Sequence, residues 1–274
     1  MQLLSRMLHL QSKKIGFVPT MGFLHKGHTS LICQSQKLAD VTIVSIFVNP
    51  TQFGPTEDYS KYPRNLKRDM DILKKMKVNY LFLPSNHMIY PDDFQTYVNI
   101  EKITQILEGQ FRPSHFKGVT TIVSILFNVI NPDIAVFGQK DVQQAFIIEK
   151  MVKDLKMAVK ILVKPIVREK DGLALSSRNV YLSESERKDA VVLNHSLKNA
   201  KKLISTGEKD VSKIISSMRS IINRAESAEI DYISVVDAST FSPVKKIVKE
   251  RKYYLLIACK IGKTRLIDNI RIKV

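Results

Sequence analysis

The sequence predicts an α/β protein: a doubly wound parallel sheet followed by a second, smaller α+β domain. Three observations carry this. Over roughly the first 165 residues, short apolar runs alternate with segments of helical length, the pattern of βαβ units. One run, "VTIVSIFVNP", is continuously apolar, as a strand buried on both faces of a parallel sheet must be. After Arg168 the order changes to helices followed by strand-like runs. The division is expected between residues 1–166 and 167–274, with "REKDG" as the hinge because Asp-Gly marks a turn.

The elements follow in order. "KKIGFVP" is a β-rich run, and "GHTSLICQSQKLAD" after it is helical. "VTIVSIFVNP" is the second strand, and the loop "PTQFGPTEDYSKYPR" leads into the helix "NLKRDMDILKKMK" and the short strand "YLFLP". "GVTTIVSILFNVIN" reads as helix, "DIAVFG" as strand, "VQQAFIIEKMVKDLKM" as helix and "VKILVKPIVRE" as strand. Beyond Arg168, "SESERKDAVVLNHSLKNAKKLIS" and "DVSKIISSMRSIINRAES" are helical. "IDYISVVDA", "YYLLIACKIG" and "TRLIDNIRI" alternate or resemble hairpin strands.

Composition narrows the class. Hydrophobic residues make up 44% and charged residues 25%, enough apolar content to build a core, so disorder is excluded as the main story. The net charge of +17 would attract polyanions or phosphorylated small molecules. The lysines recur singly, however, without the clustering of a nucleic-acid footprint, so no nucleic-acid partner is expected. Cys33 and Cys259 stand far apart and outside any C-x-x-C pattern, which suits a reducing compartment. The N-terminus lacks the order of a signal peptide, and "VTTIVSILFNVI" is too short to span a bilayer. A cytoplasmic protein without membrane association is expected.

Four stretches at expected strand ends could carry chemistry, because ligands of open α/β sheets bind at the carboxyl ends of strands. In "PTMGFLHKGH", His25 and His28 stand where a helix begins, and a helix N-terminus there favours an anion. Phosphate binding, a metal and a helix cap are all open for this pair. H-x-x-H without a third ligand is a weak zinc signal. In "FVNPTQFGPTEDY", Asn49 and Gln52 are neutral groups suited to orienting a small polar substrate, or to holding a polar loop together. In "FGQKDVQQ", Lys140 offers a point charge for a phosphate, and Asp141 a helix cap or an acceptor for a ribose hydroxyl. Gln144 lies one turn later. In "DGLALSSRN", Ser176, Ser177 and Arg178 make an anion-binding fork that, on a second domain facing the first, would close over a triphosphate. "RPSHFKGV" adds His115 and Lys117, as cleft residues or as a basic surface turn.

Taken together and in this order, "PTMGFLHKGH", "VSIFVNPTQFGPTEDYSKYPR", "HFKGVTTIVSILFNVINPDIAVFGQKDVQQ" and "DGLALSSRNVYLS" resemble the pantothenate synthetase (pantoate–β-alanine ligase) family, over nearly the whole chain. That family belongs to the nucleotidyltransferases with a HIGH-like signature, here "HKGH". The resemblance implies a homodimeric, ATP-dependent ligase with a Rossmann-like N-terminal domain and a smaller C-terminal lid. It implies that pantoate and Mg-ATP react to pantoyl adenylate and pyrophosphate, after which β-alanine displaces AMP to give pantothenate.

By the same resemblance, Met21, Gly22, Phe23, Leu24, His25, Lys26, Gly27 and His28 hold ATP, and His28 matches the family's proton donor. Gly138, Gln139, Lys140 and Asp141, then Val167, Leu175, Ser176, Ser177 and Arg178, complete the nucleotide site. His25, His28, Lys140 and Arg178 are the catalytic candidates. Gln52 and Gln144, with Asn49, bind the acid substrate. No protein metal site is expected; Mg2+ is expected on the ATP phosphates. Two departures stand out: Gln139 replaces the family's usual glutamate, and relatives carry a few more residues, with a first short strand, ahead of "LLSRMLHLQ".

Overall fold

The computed structural model describes residues Met1–Val274. The chain resolves into two compact units, Met1–Gln139 with Gln143–Pro165, and Lys140–Val142 with Ile166–Val274.

In the first unit, α1 (Gln2–Leu10) precedes β1 (Ile15–Thr20), α2 (Lys26–Leu38), β2 (Val41–Ile46), α3 (Leu66–Lys75) and β3 (Tyr80–Phe82). Two single-turn helices, α4 (Asn86–Ile89) and α5 (Glu108–Phe111), lead to α6 (His115–Ile130), β4 (Ile134–Gly138), α7 (Val142–Asp154) and β5 (Lys160–Lys164). The strands form one parallel sheet in the order β3-β2-β1-β4-β5. Strand side chains alternate between faces. Phe17, Ile43, Ala135 and Phe137 therefore pack with α1, α6 and α7, while Val18, Val44, Ile134 and Val136 pack with residues of α2 and α3. A sheet covered on both faces needs apolar strands throughout, which is why β2 reads as an unbroken apolar run.

Several ends differ from the sequence pattern for local reasons. The strand expected over "VKILVKPIVRE" stops at Lys164, because Pro165 has no N–H to donate to a ladder. The helix expected from Gly118 begins at His115 and ends where Asn131 turns left-handed at φ 46°.

The second unit packs α8 (Glu184–Asp189), α9 (Val192–Ser205) and α10 (Val211–Ile222) with an antiparallel sheet of β6 (Ala228–Asp237), β7 (Lys252–Ile261) and β8 (Thr264–Lys273). Its core joins Leu193, Leu197, Ile214 and Met218 of the helices to Val235, Leu255 and Ile257 of the sheet. The single helix expected over "SESERKDAVVLNHSLKNAKKLIS" is two. Around Ala190 the ladder slips to bonds three residues back, Val191 N–H to the Lys188 carbonyl and Leu193 N–H to that of Ala190, both at 3.4 Å.

Candidate functional site

The opening motif is built from both sides of its turn. After β1 the chain passes through Gly22 (φ 81°) and Phe23 (φ 50°), both left-handed. That conformation is costly for phenylalanine and persists only where neighbours enforce it. Asp69, buried in the first turn of α3, enforces it: its carboxylate accepts the N–H groups of Phe23 at 2.7 Å and Leu24 at 2.8 Å. A carboxylate in a first helical turn also sits well in the helix dipole. Arg68 next to it donates to the Leu24 carbonyl at 2.9 Å and lies over the Phe23 ring at 4.9 Å.

The two histidines then close on each other. His25 is the N-cap of α2, and its Nδ1 accepts the Gly27 N–H at 3.1 Å. Nδ1 of His28 accepts the His25 N–H at 3.3 Å, which completes a reciprocal capping box with histidines in place of the usual Ser/Thr and Glu. The ring centroids are 4.1 Å apart. A backbone N–H can only donate, so each Nδ1 must be a lone pair and each neutral ring carries its proton on Nε2. Both histidines thus take part in capping the helix, each through Nδ1. Gly27 is required here: a Cβ would lie 2.7 Å from His25 Cε1 and 2.9 Å from its Nδ1.

The loop after β2 meets the same turn. Gln52 Nε2 donates to Met21 Sδ at 3.0 Å, which links the first and second motifs. Thr20 Oγ1 donates to the Ser45 carbonyl at 2.8 Å, and Phe47 N–H to that of Thr20 at 3.0 Å, fixing the two strand ends side by side.

Asn49, expected at the substrate, is held by bonds within the protein. Its Oδ1 accepts from Thr51 Oγ1 at 3.0 Å and Tyr90 OH at 2.7 Å. Its Nδ2 donates to Gln52 Oε1 at 3.2 Å and the Gly118 carbonyl at 3.1 Å. All four hydrogen-bonding positions of the amide are filled within the protein, so Asn49 orients Gln52. The helix α6 comes so close that a Cβ on Gly118 would lie 2.5 Å from the Thr51 carbonyl oxygen and 2.7 Å from Gln52 N.

In the third motif β4 ends at Gly138, and Gln139–Asp141 form one 3-10 turn ahead of α7. Gly138 has open space where a Cβ would stand. Lys140 Nζ lies 3.8 Å from Asp141 Oδ1, a loose pair that leaves the lysine its charge for another anion, and the Lys140 carbonyl accepts from Asn269 Nδ2 at 3.0 Å. Gln144 is half-buried in the first turn of α7.

In the second unit, Leu175 N–H donates to the Val167 carbonyl at 3.0 Å, which draws these two expected nucleotide residues together. Arg168 between them grips buried Asp268 with two bonds of 2.6 and 2.8 Å, anchoring the segment on β8. Ser176 caps a 3-10 turn over Ser177–Tyr181 by accepting the Arg178 N–H at 3.3 Å, while Ser177 is buried. The segment expected to form an anion fork is a capped 3-10 turn.

Sequence reasoning missed Asp69, Arg68 and Gly118. Asp69 follows the Asn65 cap by four residues, a visible first-turn acid, but no local signal tells which loop it reaches.

Comparison with known proteins identifies the family. The family model for pantoate-beta-alanine ligase matches residues 1–271. A pantothenate synthetase from Caldicellulosiruptor saccharolyticus is 53% identical over 267 residues, covering 97% of this chain and 94% of that one. The crystal structure of pantothenate synthetase from Thermus thermophilus superposes with a TM-score of 0.91 at 40% identity, over 95% of this chain and 94% of that one. That of pantoate-beta-alanine ligase from Francisella tularensis, in complex with beta-gamma ATP and β-alanine, gives 0.77 at 37% identity, over 95% and 90%. With motifs, strand order and sequence in accord over nearly its full length, the chain belongs to the pantoate–β-alanine ligase family, whose reaction is the ATP-dependent condensation of pantoate with β-alanine.

Proposed function

We propose that this chain carries out the family's condensation in two half-reactions, with the residues below in named roles. In the first, a pantoate carboxylate oxygen attacks the α-phosphorus of ATP. The bond to the bridging oxygen breaks, releasing pyrophosphate and leaving pantoyl adenylate. In the second, the β-alanine amine attacks the acyl carbon, the acyl–oxygen bond breaks, AMP departs and the amine sheds a proton. Neither step needs a protein nucleophile. Both need positioning, and stabilisation of the charge that shifts among the phosphate oxygens.

The reading rests above all on the reciprocal His25–His28 capping pair. Phosphate oxygens only accept hydrogen bonds, and each ring, with Nδ1 committed to the backbone, has its proton on Nε2. In this role Nε2–H of each ring donates to the ATP phosphates at the start of α2, from rings whose Nδ1 the backbone already holds in place. This narrows the proton-donor role that the resemblance implies for His28. A neutral imidazole holds its last proton too tightly to release it, so His28 acts by hydrogen bonding while the cap is closed. Metal ligation through Nδ1 would break the cap.

Lys140 and Arg178 supply cationic charge to the phosphates, and Ser176 and Ser177 supply hydroxyls. The remainder of Met21–His28, Gly138–Asp141, Val167 and Leu175 shape the nucleotide site. Gln52 and Gln144 bind pantoate. Neutral amides suit a carboxylate that must attack, whereas a directly paired cation would blunt it. We assign nucleotide and pantoate binding to residues 1–166 and a lid role to residues 167–274.

Mg2+ prefers phosphate oxygens and water to an all-protein cage, and it would neutralise charge on ATP when bound. Asp141, whose exposed carboxylate stands beside Lys140, is the side chain placed to help hold such an ion. A homodimer in the cytoplasm completes the proposal, supported by the family resemblance; sedimentation of the purified chain tests the dimer.

Pyrophosphate–ATP exchange tests the mechanism. Exchange should require pantoate and proceed without β-alanine. A folded preparation that makes pantothenate yet shows no such exchange would rule out the adenylate.

A further inference from the structure

The segment before α6 is shaped to deliver two side chains onto one carbonyl. Lys102 stands at φ 66°, ψ −71° and Leu107 at φ 53°, ψ −117°, conformations that L-residues rarely adopt. Buried Gln143 of α7 clamps this stretch: its Oε1 accepts the Glu108 N–H at 3.2 Å, and its Nε2 donates to the carbonyls of Ile103 at 3.0 Å and Ile106 at 2.9 Å. Strain so firmly enforced marks a place where geometry matters.

What the segment delivers is Arg112 and His115. The guanidinium is locked on Glu57 through two bonds, Nε to Oε1 at 2.9 Å and Nη2 to Oε2 at 2.6 Å. Its Nη2 also donates to the Gln52 carbonyl at 3.3 Å, and its Nη1 lies 3.2 Å from His115 Nε2. His115 Nδ1 lies 2.9 Å from that same Gln52 carbonyl. A carbonyl only accepts and a guanidinium only donates, so its two neighbours together select one form of His115, the neutral ring with its proton on Nδ1. Burial and the positive charge of Arg112 keep that ring neutral, with a pKa lowered to about 4.

We propose that Arg112 and His115 are positioning residues for the family's reaction: by fixing the Gln52 carbonyl from behind, they aim the Gln52 amide at the acid substrate. This rests on the reading of Gln52 as a pantoate contact. The amide is held in front as well, Oε1 by Asn49 and Nε2 by Met21. An amide has two donor and two acceptor positions, so one of each remains for a substrate. Arg112 contributes geometry rather than charge, because Glu57 neutralises it.

Steady-state kinetics with Arg112→Lys, His115→Asn, His115→Ala and Gln52→Ala tests this. Lysine keeps the charge and loses the fork; asparagine keeps a donor where Nδ1 stands. Arg112→Lys should raise KM for pantoate about tenfold while KM for ATP stays within about twofold, the mark of lost substrate binding. His115→Asn should retain most of the pantoate affinity that His115→Ala loses. In a Gln52→Ala background, Arg112→Lys should have little further effect, since coupled residues are not additive. A lower melting temperature with pantoate KM unchanged in both Arg112→Lys and His115→Ala would show a purely structural role and overturn the proposal. If Gln52→Ala raises pantoate KM and Arg112→Lys does not, the proposal alone fails. If Gln52→Ala leaves that KM unchanged, the reading of Gln52 fails and the proposal with it.

Discussion

Replacing Gly27 with alanine should separate stability from activity. Gly27 is the second residue of α2, and an added Cβ would stand 2.7 Å from His25 Cε1, about 0.7 Å inside ordinary contact. The ring has to swing away and give up its 3.1 Å bond to the Gly27 N–H. Losing a cap costs about 1 kcal/mol. Alanine in place of glycine returns up to about 1 kcal/mol of helix propensity. The two nearly cancel, so the melting temperature should move by no more than a few degrees, at roughly 2–4 °C per kcal/mol for a chain of this size. Activity has no such compensation. A shift of nearly 1 Å in a group that orients reacting atoms costs on the order of 100-fold, and losing one preset donor costs about 10²–10³. Pantoate-dependent pyrophosphate–ATP exchange should therefore fall about 100-fold in a protein that melts almost normally. Exchange within about threefold of the unaltered chain, far short of that loss, would refute the assignment of His25 to the phosphates.

Three further outcomes are expected. His115 has a folded-state pKa of about 4 against an ordinary 6.5, so the unfolded chain binds the extra proton first; stability is full above pH 6.5 and is lost as pH falls towards 4. The loss amounts to about 3 kcal/mol at 1.36 kcal/mol per pKa unit, and denaturant titrations at several pH values should show a flatter acid limb in His115→Asn; an unchanged limb would count against a neutral buried ring. Gly118→Ala pushes a methyl group into the Thr51–Gln52 backbone, so it should destabilise by about 1–3 kcal/mol in denaturant titration and weaken pantoate binding measured by calorimetry. Asp69→Ala orphans the N–H groups of Phe23 and Leu24, at about 1.5–3 kcal/mol for a bond to a charged group, whereas Asp69→Asn keeps an acceptor. Thermal melts and exchange rates should rank the unaltered chain above Asn above Ala, and an Ala variant equal to the unaltered chain would sink that account of the turn.

How far the site could be read in advance depends on how local its causes are. The capping box is local: donor and acceptor lie within four residues, so a helix cap was visible in "HKGH" beside the phosphate reading. What the spacing could not show is which ring nitrogen the cap uses, and it is Nδ1 in both histidines. At Asn49 the sequence shows the chemistry of a polar loop residue and hides its partners. Those partners include Tyr90 and the Gly118 carbonyl, 41 and 69 positions away. Arg112 carries no signal of its own in "RPSHFKGV", and the bond that gives it meaning reaches Gln52, 60 positions back.

By itself, then, the sequence determined the alternation of strands and helices, the placing of the first three motifs at the ends of β1, β2 and β4, and the family. These follow from hydrophobic period and from turn and cap residues within a few positions of one another. The strand end expected before "DGLALSSRN" is only an isolated bridge between Arg168 and Ala174. Only the tertiary structure decided which polar groups are spent inside the protein. Asp69 on the Phe23–Leu24 turn, Asn49 on four internal partners and Arg112 with His115 on one carbonyl are hydrogen bonds between residues far apart in the chain. Whether a buried polar group is satisfied depends on what folding brings within about 3 Å of it, and neither composition nor spacing records that.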